Sequence, residues 1–404
     1  MRNAIPFRLP RSSGELVYAL LVAGMLCGMM ISLSLWMTGR AFPHLPCVAV
    51  FAPFPQPFDA IFFWATALVS LLSAFVPDRA ALTWMAIGGC VILALQDQMR
   101  WQPWFYQYLL MLTLAAIAGS RSAPPFQLLC RIVMVSLYLW SGLHKLTPAY
   151  AHMYEATFVA PLTGVWPDWA MALVRTAAPA GPWLEIGMAL ALCFRTTRKA
   201  GVLLAVAAHL VILLLTGPAG IFQNAVVWPW NLIMAALVVL LFWNAPEFGW
   251  KSLRVPRQHA AAGLAVLLAG IMPVLSIPEK WDRYLSFHLY SGSERRMLIV
   301  VDDDAAAALP EAWKHYLKKS THNPEAQEVH FLEWSLDELG VPPPGDQRHL
   351  LALGRKCAAM NFAQQGRVLF YTDFSFLVKE RGWDTFTPQE IRVMREIPKL
   401  RQRL

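Results

Sequence analysis

The chain has 404 residues, of which 57% are hydrophobic and only 15% charged, with a mean hydropathy of +0.43. A soluble domain carries roughly a quarter of its residues as charges, so the composition excludes a wholly soluble globular protein. The net charge of +8 does not indicate a nucleic-acid partner, because the basic residues fall between apolar runs instead of along one stripe.

A helix rising 1.5 Å per residue needs ~20 residues to cross ~30 Å of hydrocarbon. Nine apolar runs come near that length: Leu16–Met37, Phe58–Val76, Ala80–Leu95, Trp104–Ala118, Phe126–Leu146, Gly181–Phe194, Gly201–Leu215, Val226–Trp243 and Ala260–Ile277. The third, fourth, sixth and seventh are short, so their ends reach into the interface or they sit within protein. Arg2, Arg8 and Arg11 precede the first run as in a signal peptide, yet its length and the lack of a small-residue cleavage site predict a retained helix. The expected fold is therefore an all-α polytopic membrane helical bundle of about nine transmembrane helices over residues 1–277.

Lys and Arg set the orientation, because cytoplasmic loops are enriched in them. With the N-terminus inside, the inner side collects Arg2, Arg8, Arg11, Arg79, Arg121, Arg195, Arg198, Lys199, Lys251, Arg254 and Arg257, against Arg40, Arg100, Lys145 and Arg175 outside. An odd number of crossings then sends residues 278–404 to the periplasmic side of an inner membrane. At Pro278–Asp282 the apolar pattern stops and mixed charge begins, which marks a small α+β extramembrane C-terminal domain. Met297–Val301 and Arg367–Tyr371 read as buried strands, Pro310–Lys319 and Gln347–Met360 as helices, and Val341–Gly345 as a loop. The domain has no P-loop, no dinucleotide-binding glycine pattern and no zinc spacing; His288, His315, His322, His330 and His349 read as solvated surface residues and no metal is expected.

Of six cysteines, Cys47 and Cys357 fall on the outer side, and no CxxC occurs. Two outcomes stay open for them: a structural disulfide tying the first outer loop to the C-terminal domain, or two unpaired thiols.

Ionisable residues within spans are costly and mark functional sites by default. His209 and Asn231 each lie about seven residues from the outer end of a span, ~10 Å deep. Glu185 and Lys145 enter from the same side, and Asp97 and Arg100 share that level. Taken singly, Lys145 reads as a snorkelling anchor, His209 as interhelical glue and Asn231 as a repair of backbone broken by Pro229, while Asp97 and Arg100 read as a surface pair. Taken together, their common depth predicts a polar cavity open to the outer leaflet.

The segment Tyr138–Pro148 (YLWSGLHKLTP) resembles the lysine-bearing helix end of the HTTM (horizontally transferred transmembrane) domain family, distantly related to vitamin K-dependent gamma-carboxylases and DoxX-like membrane proteins. Glu185 in GPWLEIGMAL, RTTR at 195–198, His209 in AAHLVILLLTGPAG and NAVVWPWN at 224–231 follow in similar order, so the resemblance covers about 126–243. It implies a quinone-using or lipid-using membrane enzyme with Lys145 as base. His209 and Glu185 would be proton partners, and His144, Asn231, Trp230 and Tyr138 ligand-binding residues. His144 stands where carboxylases often carry a second lysine, and the C-terminal domain is too short for their large lumenal region.

Two functional readings stay open. The first is that enzyme, with an apolar or quinone-like molecule entering from lipid and Trp140, Trp183, Trp228 and Trp230 as candidate walls for a flat head group. The second is a non-catalytic membrane anchor or scaffold that presents the C-terminal domain to a periplasmic protein partner. A transporter is disfavoured, because neither an inverted repeat nor a pair of Gly/Pro-interrupted segments in matching halves is evident.

Overall fold

A computed structural model describes residues 9–76, 80–119, 121, 124–221, 223–246, 249–320, 325–359, 366–372, 382–398 and 402–403. Arg2, Arg8, Arg79, His322 and Met360, which entered the sequence reading, lie outside the described residues.

Helices form where the apolar runs were read. They are α1 (Ser13–Ile31), α2 (Phe58–Phe75), α3 (Ala80–Leu95), α4 (Pro103–Ala118) and α5 (Pro124–His144). After α6 (Pro148–Tyr154) and α7 (Asp168–Ala177) come α8 (Gly181–Cys193), α9 (Arg198–Thr216), α10 (Val227–Phe242) and α11 (Pro256–Ala265). α11 continues through a π-helical turn and a 3-10 turn to Ser276. Among the described residues five helices are long and apolar enough to cross a membrane, namely α1, α2, α5, α9 and Pro256–Ser276; α3, α4 and α10 are apolar but shorter.

Burial accounts for the short central helix. α4 covers only ~24 Å at 1.5 Å per residue, yet nearly every side chain along it is buried, so it meets protein and not lipid. α1 and α11 pack on α4, α5 packs most extensively on α8, and α9 on α10. The outer helices leave apolar stripes uncovered, including Ile61, Trp64 and Leu68 on α2 and Leu203, Leu210 and Leu214 on α9. Such stripes suit a lipid solvent that competes for no backbone hydrogen bond. On α7, Trp169 and Leu173 are exposed while Met171 is buried, the pattern of a helix lying along an interface.

The C-terminal region holds one antiparallel sheet of β1 (Arg296–Val301), β2 (Leu317–Lys319), β3 (Gln327–His330), β4 (Arg367–Thr372), β5 (Gly382–Phe386) and β6 (Gln402–Arg403), in the order β2-β3-β1-β4-β5-β6. Alternation on β1 turns Met297, Ile299 and Val301 inward, against helices α12 (Phe331–Leu339), α13 (Gln347–Ala358) and α14 (Pro388–Val393). The expected helix over 310–319 stops after Lys314, because Leu317–Lys319 pair with β3 in the register Leu317↔Val329. This domain is fastened to the bundle. Glu338 on α12 accepts backbone N–H groups of Ala41 (2.5 Å) and Phe42 (2.9 Å), and Phe42 packs on Phe331 and Trp334.

Two sequence expectations need correction, and the alternative left open for the outer cysteines is decided. Asp97 and Arg100 are buried and are not a surface pair: Asp97 is paired with Arg40 and His44, and Arg100 donates to the carbonyls of Leu35, Trp36 and Leu93 at 2.9–3.0 Å. Arg40 arrives from a loop far along the chain, which spacing cannot reveal. Cys47 and Cys357 are free thiols. The first outer loop meets the C-terminal domain at α12, whereas Cys357 is buried on α13 and Cys47 donates to the carbonyl of Ala94 at 3.6 Å. His288 and His349 are buried and not solvated, because the domain lies on the bundle and covers them; His315 is exposed.

Candidate functional site

Four helices bring their polar residues to one point. Tyr138 and Ser141 on α5, and Lys145 in the turn just past its end, follow at i, i+3 and i+7. Opposite stands α8, and the approach is close because residue 142 is glycine: a Cβ there would sit 2.7 Å from the carbonyl oxygen of Pro182 and 3.0 Å from the amide nitrogen of Ile186. That approach lets the Lys145 Nζ reach Glu185 Oε1 and Oε2, both at 2.8 Å, and Ser141 Oγ at 2.7 Å. Three acceptors use all three N–H groups of an ammonium, whereas a neutral amine has two.

Across the cavity, His209 on α9 lies between Tyr138 Oη (2.7 Å to Nε2) and Asn231 Oδ1 on α10 (2.8 Å to Nδ1). Asn231 Nδ2 donates to the carbonyl of Val227 at 2.7 Å, which turns its oxygen toward the imidazole. Nδ1 therefore carries the hydrogen and Nε2 accepts from the tyrosine hydroxyl.

Lys145, Glu185, His209, Asn231, Tyr138 and Trp230 line a single cavity of about 150 Å³. Trp230 donates its Nε1–H to Gln107 Oε1 at 2.7 Å, which fixes the indole as a wall. The other tryptophans do not contribute. Trp140 stacks on His144 and donates to the Gly270 carbonyl, Trp228 donates to the Thr216 carbonyl, and Trp183 is exposed. Nor does the ring of His144 join the cavity. It is buried between Trp140 and His288, with ring centroids 5.5 and 4.5 Å away, and its Nε2 has no hydrogen-bond partner. Asp97 and Arg100, expected at the same depth, belong to the separate cluster with Arg40.

A second cavity of about 580 Å³ lies between the bundle and the C-terminal domain, lined by Trp104, Tyr284, His288, Glu294, Phe331 and Leu353 among others. Met153, Val227, Trp230, Leu289 and Tyr290 wall both cavities. Tyr290 holds a left-handed backbone at φ 47°, a conformation that costs an ordinary residue ~1–2 kcal/mol. Near it, Gly292 (φ 78°) passes so close that a Cβ would lie 2.4 Å from the Ala149 carbonyl oxygen. His288 Nδ1 contacts Ser291 Oγ at 3.0 Å and Glu294 Oε1 at 3.4 Å. Burial pushes the His288 imidazole toward its neutral form against the opposing pull of Glu294. Burial likewise works to raise the Glu294 carboxyl, yet His288 and Arg283 outweigh it and hold that pKa well below the usual range.

Ser141 was legible in the sequence as the residue one turn before Lys145. Tyr290, His288 and Glu294 were not, since a connector far along the chain from the site helices carries no periodic signal. Comparison with protein families, with curated proteins and with solved structures finds no match to this chain.

Proposed function

We propose that this protein is a polytopic membrane enzyme acting on a ring-sized apolar molecule with an oxygen function, held between α5, α8, α9 and α10. The observation that carries the reading is the convergence of Lys145, Glu185, His209 and Asn231 on open space. Interhelical glue needs one donor and one acceptor in contact, whereas four complementary groups around a void leave room for a guest. The volume is informative: an apolar cavity of about 150 Å³ accepts benzene, so this one suits a single ring or a head group of that size.

In this reading the bundle crosses the membrane nine times, with the N-terminus cytoplasmic and residues 278–404 on the outer, periplasmic side. The five long apolar helices support a membrane protein, and the burial of α4 supports crossings shorter than ~20 residues. The resemblance of 126–243 to the HTTM family supports a quinone or lipid as the guest. α7, with Trp169 and Leu173 outward, rests along the outer interface.

The test is extraction of the full chain in mild detergent and mass spectrometry of what accompanies it. An apolar ring-bearing molecule at one per chain is expected, and it is lost in Ala208→Phe, which fills the cavity. A preparation free of small molecules that retains a stoichiometric protein instead supports the anchor reading.

A further inference from the structure

We infer that the base of this cavity is His209 acting through Tyr138, and that Lys145, locked to Glu185 and Ser141, is not that base. The inference rests on the proposed ring-sized guest and specifies its chemistry: the guest carries an ionisable hydroxyl, as a phenol or an enol does.

The hydrogen-bond pattern gives each group one role. Asn231 Oδ1 takes the Nδ1–H of His209, so the free basic lone pair is on Nε2, and the Tyr138 hydroxyl occupies it at 2.7 Å. With its hydrogen committed to the imidazole, the Tyr138 oxygen keeps lone pairs for a hydroxyl entering the cavity it lines. The guest's O–H bond breaks as its proton passes to Tyr138 Oη, and the proton of Tyr138 passes to His209 Nε2. The products are a guest oxyanion and an imidazolium whose Nδ1–H remains on Asn231. No electron moves and no co-reactant is needed. This is general-base catalysis with a positioned acceptor behind the base.

Lys145 is unsuited to the same task in this arrangement, because its three hydrogens are spent on Ser141 and both oxygens of Glu185 and no lone pair is offered. Its charge is paired with Glu185, so it ties the end of α5 to α8. The titratable groups that face His209 in this cavity are Tyr138 from α5, Lys145 from the turn after it, Glu185 from α8, Tyr150 and Tyr154 from α6, and Tyr290 from the connector. Glu185 is the one carboxyl among them, and it is held by Lys145. Asn231 is a positioning residue: its oxygen sets the tautomer of His209.

The test uses the full chain in detergent with 4-nitrophenol, whose phenolate absorbs in the visible where the phenol does not. Bound to the unmodified chain, the probe is expected to ionise at least tenfold more readily than in free solution. Tyr138→Phe and His209→Gln keep saturable binding but bring ionisation within about twofold of the free probe. Asn231→Leu, which leaves both acid–base residues in place, removes most of the gain. If the gain persists in Tyr138→Phe and His209→Gln, the base is elsewhere and this inference fails while the ring-binding cavity stands. Binding with no gain in the unmodified chain has the same meaning. Absence of saturable binding in the unmodified chain overturns the inference and the proposed guest together.

Discussion

Lys145 and Glu185 offer a sharp measure of whether the bundle is built around this polar centre. The pair is 2.8 Å apart, with side chains 7% and 20% exposed. At that 2.8 Å separation and an effective dielectric constant of ~20, the gross attraction is about 6 kcal/mol. Most of it offsets desolvation, so the measurable quantity is the cost of stranding one partner. Glu185→Gln leaves the more deeply buried ammonium with neutral acceptors and should cost about 3 kcal/mol. Lys145→Met strands a carboxylate that keeps some exposure and should cost about 2 kcal/mol. The double variant strands nothing and should cost no more than the larger single change, a coupling of about 2 kcal/mol. The assay is reversible unfolding in mixed detergent and denaturant, followed by tryptophan fluorescence in all four proteins. Costs that add to within ~0.5 kcal/mol would refute the reasoning, since independent sites behave that way.

Gly142→Val places atoms where the Pro182 carbonyl stands, so α5 and α8 should part; a loss of about 1–3 kcal/mol in the same assay, together with loss of the Lys145–Glu185 coupling, is expected. Glu338→Ala removes the acceptor of two backbone N–H groups and of Trp334 Nε1, and faster hydrogen exchange at residues 38–44 and in α12 should report the loosened junction. His349 is buried with neither ring nitrogen hydrogen-bonded, and burial depresses its pKa from 6.5 to about 4. The unfolded chain therefore takes the proton first, so stability falls as pH drops from about 6.5 to about 4; His349→Leu should remove that slope and gain about 1 kcal/mol, read from melting curves against pH. Asp346 has the opposite sign. Burial and the neighbouring Asp282 carboxylate raise it from 3.8 to about 7, so the folded chain holds the extra proton and stability falls as pH rises between those values; Asp346→Asn should flatten this in the same melts.

The sequence by itself determined the positions of the apolar helices, because hydropathy acts over a single run and lipid admits only backbones that satisfy themselves. It also placed Lys145, Glu185, His209 and Asn231 at one level, since depth along a helix is counted residue by residue from its end. Periodicity likewise located β1, β4 and α13. Rotation about each helix axis and the choice of neighbours depend on packing between distant segments, and there the tertiary structure decided. It separated Asp97 and Arg100 from the cavity by supplying Arg40 from another loop, turned three of four candidate tryptophans away, and left Cys47 and Cys357 as free thiols. It also joined Tyr138, His209 and Asn231 in one directed chain of hydrogen bonds. Depth is a property of one helix, but direction is a property of the pair, and proton transfer needs both.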